Sequence, residues 1–187
     1  MKKHITIAIL YTLMTSVLLG LAYPLAVTAV ARLLYPKQAD GELITQDGHL
    51  VGSALIGQPF TGPGYFHSRP SAAGIGYDAS ASSGSNLAPT SKALIDRTEA
   101  SVAAEQNGAP VPVDLVTASA SGLDPDITPA AALYQVPRVA AKRHLPVKSV
   151  EALVQEHITQ RQLGLLGEPR VNVLELNLAL DAMAAKG

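Results

Sequence analysis

Hydrophobic positions divide the chain into two unequal parts. From Ile5 to Ala31 no residue is charged, a run of 27. About 20 apolar residues in a helix span the hydrocarbon core of a bilayer, so this run is long enough, with room for tilt. The expectation is a retained transmembrane helix over residues 5–34, preceded by a short tail, 1–4. A cleaved signal peptide is the weaker reading. Lys2, Lys3 and Ala29-Val30-Ala31 fit it, but a signal core is ordinarily about 7–15 residues. Pro24 is expected to kink or break the helix. Ala8, Thr12, Ser16 and Gly20 recur every fourth residue and stack on one side. Small residues at that spacing let another helix approach closely in lipid.

Past residue 35 the pattern changes. Residues 36–85 show no helical period. The stretch GELITQDGHLVGSALIGQPF predicts short strands around an Asp47-Gly48 turn, with Leu50, Gly52, Ala54 and Ile56 alternating. Turn-forming residues then dominate, and 61–86 reads as a long irregular loop. Tyr65, Phe66, Arg69 and Tyr77 punctuate it, and their side chains can pin such a loop to a core or meet another subunit. Residues 87–106 predict a helix with Leu87, Leu94, Ile95, Thr98 and Val102 on one face, ended by Asn107-Gly108. VPVDLVTAS, 111–119, predicts a strand. Thr128 and Pro129 are a helix cap and first position, with Pro137 kinking or dividing that helix. Residues 147–162 predict an amphipathic helix on Val150, Leu153, Val154 and Ile158. Asn172 with Glu175 resembles a capping pair for a last helix ending near Ala184. The fold class expected is α+β: one N-terminal transmembrane helix, then a single mixed domain over 35–187.

Composition narrows the chemistry. The 187 residues carry a formal charge of −1, so nothing favours a nucleic-acid partner. No cysteine is present, which excludes disulfides, thiolate metal sites and thiol catalysis. His4, His49, His67, His144 and His157 lack the i, i+4 zinc spacing, and no metal is expected. Asp124 and Asp126 flank Pro125 and read as a turn, with a carboxylate pair or cation site as the alternative. Ser119, Ser121, Asp124 and His144 do not make a hydrolase, because no nucleophile elbow occurs; no catalytic residue is assigned.

The Gly/Ser stretch SSGSNLAP, 82–89, leaves two readings. Backbone N–H groups of Ser83, Gly84, Ser85 and Asn86 can contact a nucleotide phosphate if they lie at a helix start. No Walker lysine follows them, since Lys92 stands eight residues after Gly84. A plain helix cap explains the stretch with less. Lys/Arg counts flanking the apolar segment tie, so charge alone does not orient it.

Six stretches carry a resemblance: YPLAVTAVARLLYP, GSALIGQPFTGPGYFHSRPSA, SSGSNLAPTS, PVPVDLVTASASGLDPDITPAAA, QVPRVA and VNVLELNLALD. In this order the chain resembles the C-subunit family of bacterial Kdp potassium-transporting ATPases over nearly its whole length. Ala88 and Ser91 depart from the family pattern. The resemblance implies a single-pass inner-membrane subunit with an extracytoplasmic, periplasmic domain. It implies assembly with a channel-like potassium-binding subunit, a P-type ATPase subunit and a small helical peptide. It further implies a catalytic chaperone that raises the pump subunit's ATP affinity. No cofactor is expected to bind firmly, and ATP enters only through this resemblance. No Asp-Lys-Thr-Gly occurs, so the chain itself forms no phosphoenzyme. The alternative is a membrane-anchored extracytoplasmic module that binds a small ligand.

Overall fold

The computed structural model describes residues 1–184, apart from the side chain of Ala184. The chain forms two compact units, Met1–Ser53 and Ala54 onward.

The first unit begins with 33 helical residues, Lys2–Leu34, long and apolar enough to cross a membrane. They comprise α1 (Lys2–Val17), a π-helical turn (Leu18–Ala22) and α2 (Tyr23–Leu34), none with a buried residue. The π turn lies immediately before Pro24. Proline has no N–H for the carbonyl four residues back, which is that of Gly20, and its ring crowds that carbonyl. The backbone widens there, and the Tyr23 N–H donates to Leu18 O, five residues back. The expected break at Pro24 is therefore absorbed without ending the helix. A short α3 (Pro36–Ala39) leads to a hairpin of β1 (Leu43–Gln46) and β2 (His49–Ser53). Asp47 and Gly48 both take positive φ, 52° and 79°, the requirement of a tight two-residue hairpin turn. Pairing runs Gln46↔His49 and Thr45↔Leu50, then slips to Ile44↔Gly52, so Val51 forms a bulge.

The second unit holds α4 (Lys92–Glu105), a 3-10 turn (Val113–Leu115), β3 (Asp126–Ile127), α5 (Pro129–Arg143), α6 (Val147–Glu156), β4 (Ile158–Thr159), β5 (Arg170–Asn172) and α7 (Val173–Ala184). Antiparallel β5 lies between β3 and β4. Helices α5, α6 and α7 cover this small sheet. Between them they bury Ala131, Val139, Val150, Val154, Leu176 and Leu180, with Val171 of β5 in the same core. The α+β class holds.

Several boundaries differ from expectation. The helix predicted from residue 87 starts at Lys92, with Ser91 as its cap and no side-chain capping bond. Asn86 sits at φ 52°, and Ala88 precedes Pro89, a position that disfavours helical backbone. Residues 82–88 are consequently irregular. The strand predicted over 111–119 is instead the 3-10 turn. Pro110 and Pro112 remove two ladder donors there, and Asp114 Oδ2 accepts from Thr128 N–H at 2.8 Å. Pro137 does not divide α5. It faces outward, where water can satisfy the carbonyl that it frees. The helix predicted to 162 stops at Glu156, because Ile158 and Thr159 pair with Val171 and Arg170. Both expected caps are present: Thr128 Oγ1 accepts from Ala131 N–H at 3.2 Å, and Asn172 Oδ1 from Glu175 N–H at 3.1 Å.

Candidate functional site

The loop expected over 61–86 is ordered by side chains from distant helices. Phe66 is fully buried in the core of α5, α6 and α7. Its N–H donates to Asn177 Oδ1 at 2.8 Å, and its carbonyl accepts from Asn177 Nδ2 at 2.9 Å. The neighbouring His67 is gripped the same way. Its N–H donates to Gln135 Oε1 at 2.7 Å, and its carbonyl accepts from Gln135 Nε2 at 3.2 Å. A primary amide offers one donor and one acceptor side by side, as a β-strand partner does. Asn177 on α7 and Gln135 on α5 thus replace a neighbouring strand. Both are about 1 % exposed, so water cannot substitute for them.

Arginines on α5 fasten the preceding residues. Arg138 Nη1 donates to the carbonyls of Pro63 (2.8 Å) and Tyr65 (3.0 Å), while its Nη2 donates to Gln135 Oε1 at 2.6 Å. Burial lowers its pKa, and the attraction of Glu105 opposes that. Arg143 Nε donates to Gly64 O at 2.7 Å. Its guanidinium lies 4.3 Å from the Tyr65 ring centroid, a cation–π distance, and its Nη2 is 2.7 Å from Asp181 Oδ1. Tyr65 Oη donates to Asp181 Oδ2 at 3.3 Å. The side chain of His67 reaches α4, with Nδ1 2.6 Å from Glu105 Oε1.

Farther along, Arg69 Nη1 stands 3.2 Å from Asp124 Oδ2 and 4.0 Å from Asp114 Oδ1. Tyr77 Oη donates to the Arg69 carbonyl at 2.6 Å, and burial pushes its pKa up to about 12. Ser71 Oγ donates to Gly122 O and accepts from Ala73 N–H and Tyr77 N–H. Tyr65, Phe66 and Arg69 reach groups outside the loop, whereas the Tyr77 bonds, to the Arg69 carbonyl and to Ser71 Oγ, stay within it. The structure brings all four onto one continuous strap.

Ser83, Gly84, Ser85 and Asn86 belong to a different arrangement. Ser83 and Gly84 run beside residues 120–122: Ser83 N–H donates to Ser121 O at 2.9 Å. A Cβ on Gly84 would lie 3.0 Å from Ala120 O. The helix start that motivated both readings of SSGSNLAP is absent from this stretch, since α4 begins at Lys92. Ala8, Thr12 and Ser16 lie along α1, whereas Gly20 falls in the π turn. The wider turn rotates Gly20 away from a strict four-residue stack. All four are exposed within the chain.

The clefts of this unit include three with charged residues in their walls. One of about 260 Å³ is lined by Arg69, Asp114, Asp124, Asp126, Glu168 and Arg170. Burial raises the Asp126 pKa, and Asp124 and Glu175 push the same way; Arg170 and Asn172 oppose them. A second, about 250 Å³, includes Phe60, His67, Glu105 and Leu115. A third, about 180 Å³, includes Glu105, Asn107, Tyr134 and Arg138. Among the described residues no group of three or more His, Cys, Asp or Glu is placed to hold a metal.

Gln135, Asn177, Arg138 and Arg143 were not singled out by the sequence pattern. A signal existed for two of them. Gln135 follows Ala131 by four residues and precedes Val139 by four, and Asn177 sits between Leu176 and Leu180, so each is a polar side chain on an apolar stripe.

The family model described as "KdpC: K+-transporting ATPase, c chain" matches residues 5–182. The chain is 64 % identical over 182 residues to the potassium-transporting ATPase KdpC subunit of Acidobacterium capsulatum, covering 97 % of this chain and 99 % of that one. The KdpC subunit of Koribacter versatilis is 56 % identical over 184 residues, at 97 % and 95 % coverage. That of Methylobacterium nodulans is 53 % identical over 201 residues, with both chains covered completely. A match this long, carrying the apolar helix, the strap and the clamping helices together, places the chain in the KdpC family, the c chain of K+-transporting ATPases.

Proposed function

We propose that this chain helps a K+-transporting ATPase complex to assemble and raises the ATP affinity of its P-type ATPase subunit. Within the complex it is an accessory subunit, not the catalytic one. Its partners are a channel-like potassium-binding subunit, the P-type subunit and a small helical peptide. The apolar helix crosses the inner membrane once, and the domain stands on the periplasmic side. The observation that carries this reading is a 33-residue apolar helix with none of its residues buried in its own chain. A helix of that kind gains from lipid and from other helices, and the Ala8, Thr12 and Ser16 side allows close approach. The clamped strap supports it further, because buried amides and ion pairs make a rigid body suited to contact.

An effect on ATP affinity across a membrane requires a coupling free energy, hence different affinity of this domain for two pump states. Direct contact of Ser83, Gly84, Ser85 and Asn86 with ATP requires the opposite topology. Both points are testable on the assembled complex. The ATP concentration that half-saturates potassium-stimulated hydrolysis should rise when this chain is omitted and fall when it is restored; no change refutes the chaperone role. The chain has no cysteine, so a Ser91→Cys variant reports sidedness by thiol labelling. Labelling in cells with only the outer membrane permeabilised supports the periplasmic placement, and labelling only after the inner membrane is opened refutes it. Gly20→Leu should lower the amount of this chain retained in the detergent-purified complex; full retention refutes packing through that side of the helix.

A further inference from the structure

Helix α4 rests lightly on its unit. None of its 14 residues is buried. Among the described residues, the hydrogen bonds and ion pairs that join it to other elements are all at Glu105, its last residue. The Glu105 carbonyl accepts from Tyr134 Oη at 2.9 Å. The Glu105 carboxylate meets His67 on the strap, Oε1 to Nδ1 at 2.6 Å. The second ring nitrogen of His67, Nε2, lies 3.2 Å from the Gly62 carbonyl. Each nitrogen thus faces an oxygen that accepts and does not donate. A neutral imidazole carries one N–H and an imidazolium two, so only the charged ring donates to both.

We infer that His67 and Glu105 form a proton-dependent latch, which seats the end of α4 on the strap while the imidazole is doubly protonated and loosens it when one of those protons leaves. A ring left with one N–H gives up either the carboxylate or the Gly62 carbonyl, and in both cases the attraction between opposite charges ends. Water does little to mask that attraction, because the His67 and Glu105 side chains are 21 % and 14 % exposed. Few other groups face the pair. Arg138 and Tyr134 of α5 stand near Glu105. The walls of the two clefts that share Ala104 and Glu105 contain no further titratable side chain. Glu105 is ionised when α4 is seated: burial opposes this, and the hydrogen bond from His67 with the positive charges of His67 and Arg138 outweighs it. The seated form therefore holds a proton that the loosened form releases, and seating declines as pH rises. Since Ala104 and Glu105 line both clefts, of about 250 and 180 Å³, loosening joins them. The latch answers to the pH of whichever compartment bathes the domain, so it is independent of the assembly reading.

The test uses the full-length chain in detergent. It has no cysteine, so Ala100→Cys on α4 and Ala152→Cys on α6, both at exposed positions, take a pair of spin labels whose separation is read by pulsed electron resonance. Between about pH 5 and about pH 8, a longer-distance population should grow about tenfold, the worth of a charge-assisted hydrogen bond over a neutral one. It should disappear again on return to the lower pH. Glu105→Gln in the labelled chain should give one distribution at both pH values, because an uncharged amide can donate to or accept from either form of the ring. Nitrogen-15 spectra of the His67 ring, assigned against a His67→Gln variant, should show both nitrogens protonated at each pH where the short distance dominates. A distance distribution that ignores pH overturns the inference. So does a pH response that survives Glu105→Gln, or a bare His67 nitrogen while α4 stays seated.

Discussion

The amide clamp on the strap gives the sharpest test of the physical account. Asn177→Leu keeps the branched shape and the number of heavy atoms, and removes both hydrogen bonds to Phe66, of 2.8 and 2.9 Å. The Phe66 N–H and C=O stay in a fully buried position, so each bears its desolvation penalty of about 1–3 kcal/mol. The added apolar contact of leucine returns part of that, about 1 kcal/mol. The expected net loss is about 1–5 kcal/mol, centred near 3, which for a unit of this size lowers the melting temperature by roughly 10 °C. Thermal unfolding of the full-length chain in detergent, followed by near-ultraviolet dichroism of its tyrosines, measures the shift. Hydrogen exchange locates it: the amides of Phe66 and His67 should lose protection together, because Asn177 and Gln135 hold adjacent residues. A double variant with Gln135→Leu should cost less than the sum of the single variants, since the strap opens once. A melting point within 1 °C of wild type, with the Phe66 amide still protected, would refute the claim that these side chains act as a strand partner.

Two further outcomes follow from named contacts. Burial alone would raise the Glu105 pKa, but the hydrogen bond from His67 and the attraction of His67 and Arg138 bring it below the ordinary 4.5. Its contribution is therefore full above the unfolded value and lost as pH falls through the lower folded value. An acid titration of stability should show that loss, and Glu105→Gln should flatten it; an unchanged acid limb refutes the assignment. Gly122 has φ 66°, and a Cβ there would lie 2.5 Å from Ser83 O and 2.7 Å from Ala73 N. Gly122→Ala should cost about 3 kcal/mol from backbone strain and the clash, whereas Gly108→Ala, with nothing within 4 Å, should cost about 1 kcal/mol; equal melting temperatures for the two would contradict the close approach.

Local signals determined a definite part of this protein. The apolar run marked the membrane-length helix, because its length and lack of charge need no tertiary partner to be recognised. Asp47-Gly48 specified the hairpin turn through backbone preference, and Thr128 and Asn172 specified helix starts through bonds that span three residues. Tyr65, Phe66, Arg69 and Tyr77 were legible as candidates to pin the long loop or to meet another subunit; the first three reach groups outside the loop, and Tyr77 braces it from within. What they grip was decided only in three dimensions. Gln135 and Asn177 lie 68 and 111 residues from the backbone groups they bond, and no local pattern encodes that pairing. The same holds for β3, β4 and β5, two- and three-residue strands that exist because each finds the others. It holds equally for residues 82–89, a stretch that resembled a helix start and whose first residues, 82–84, are held instead beside residues 120–122. Short-range sterics and capping act within a few residues and can be read along the chain. Hydrogen bonds that close long loops depend on the assembled core, and only the folded structure displays them.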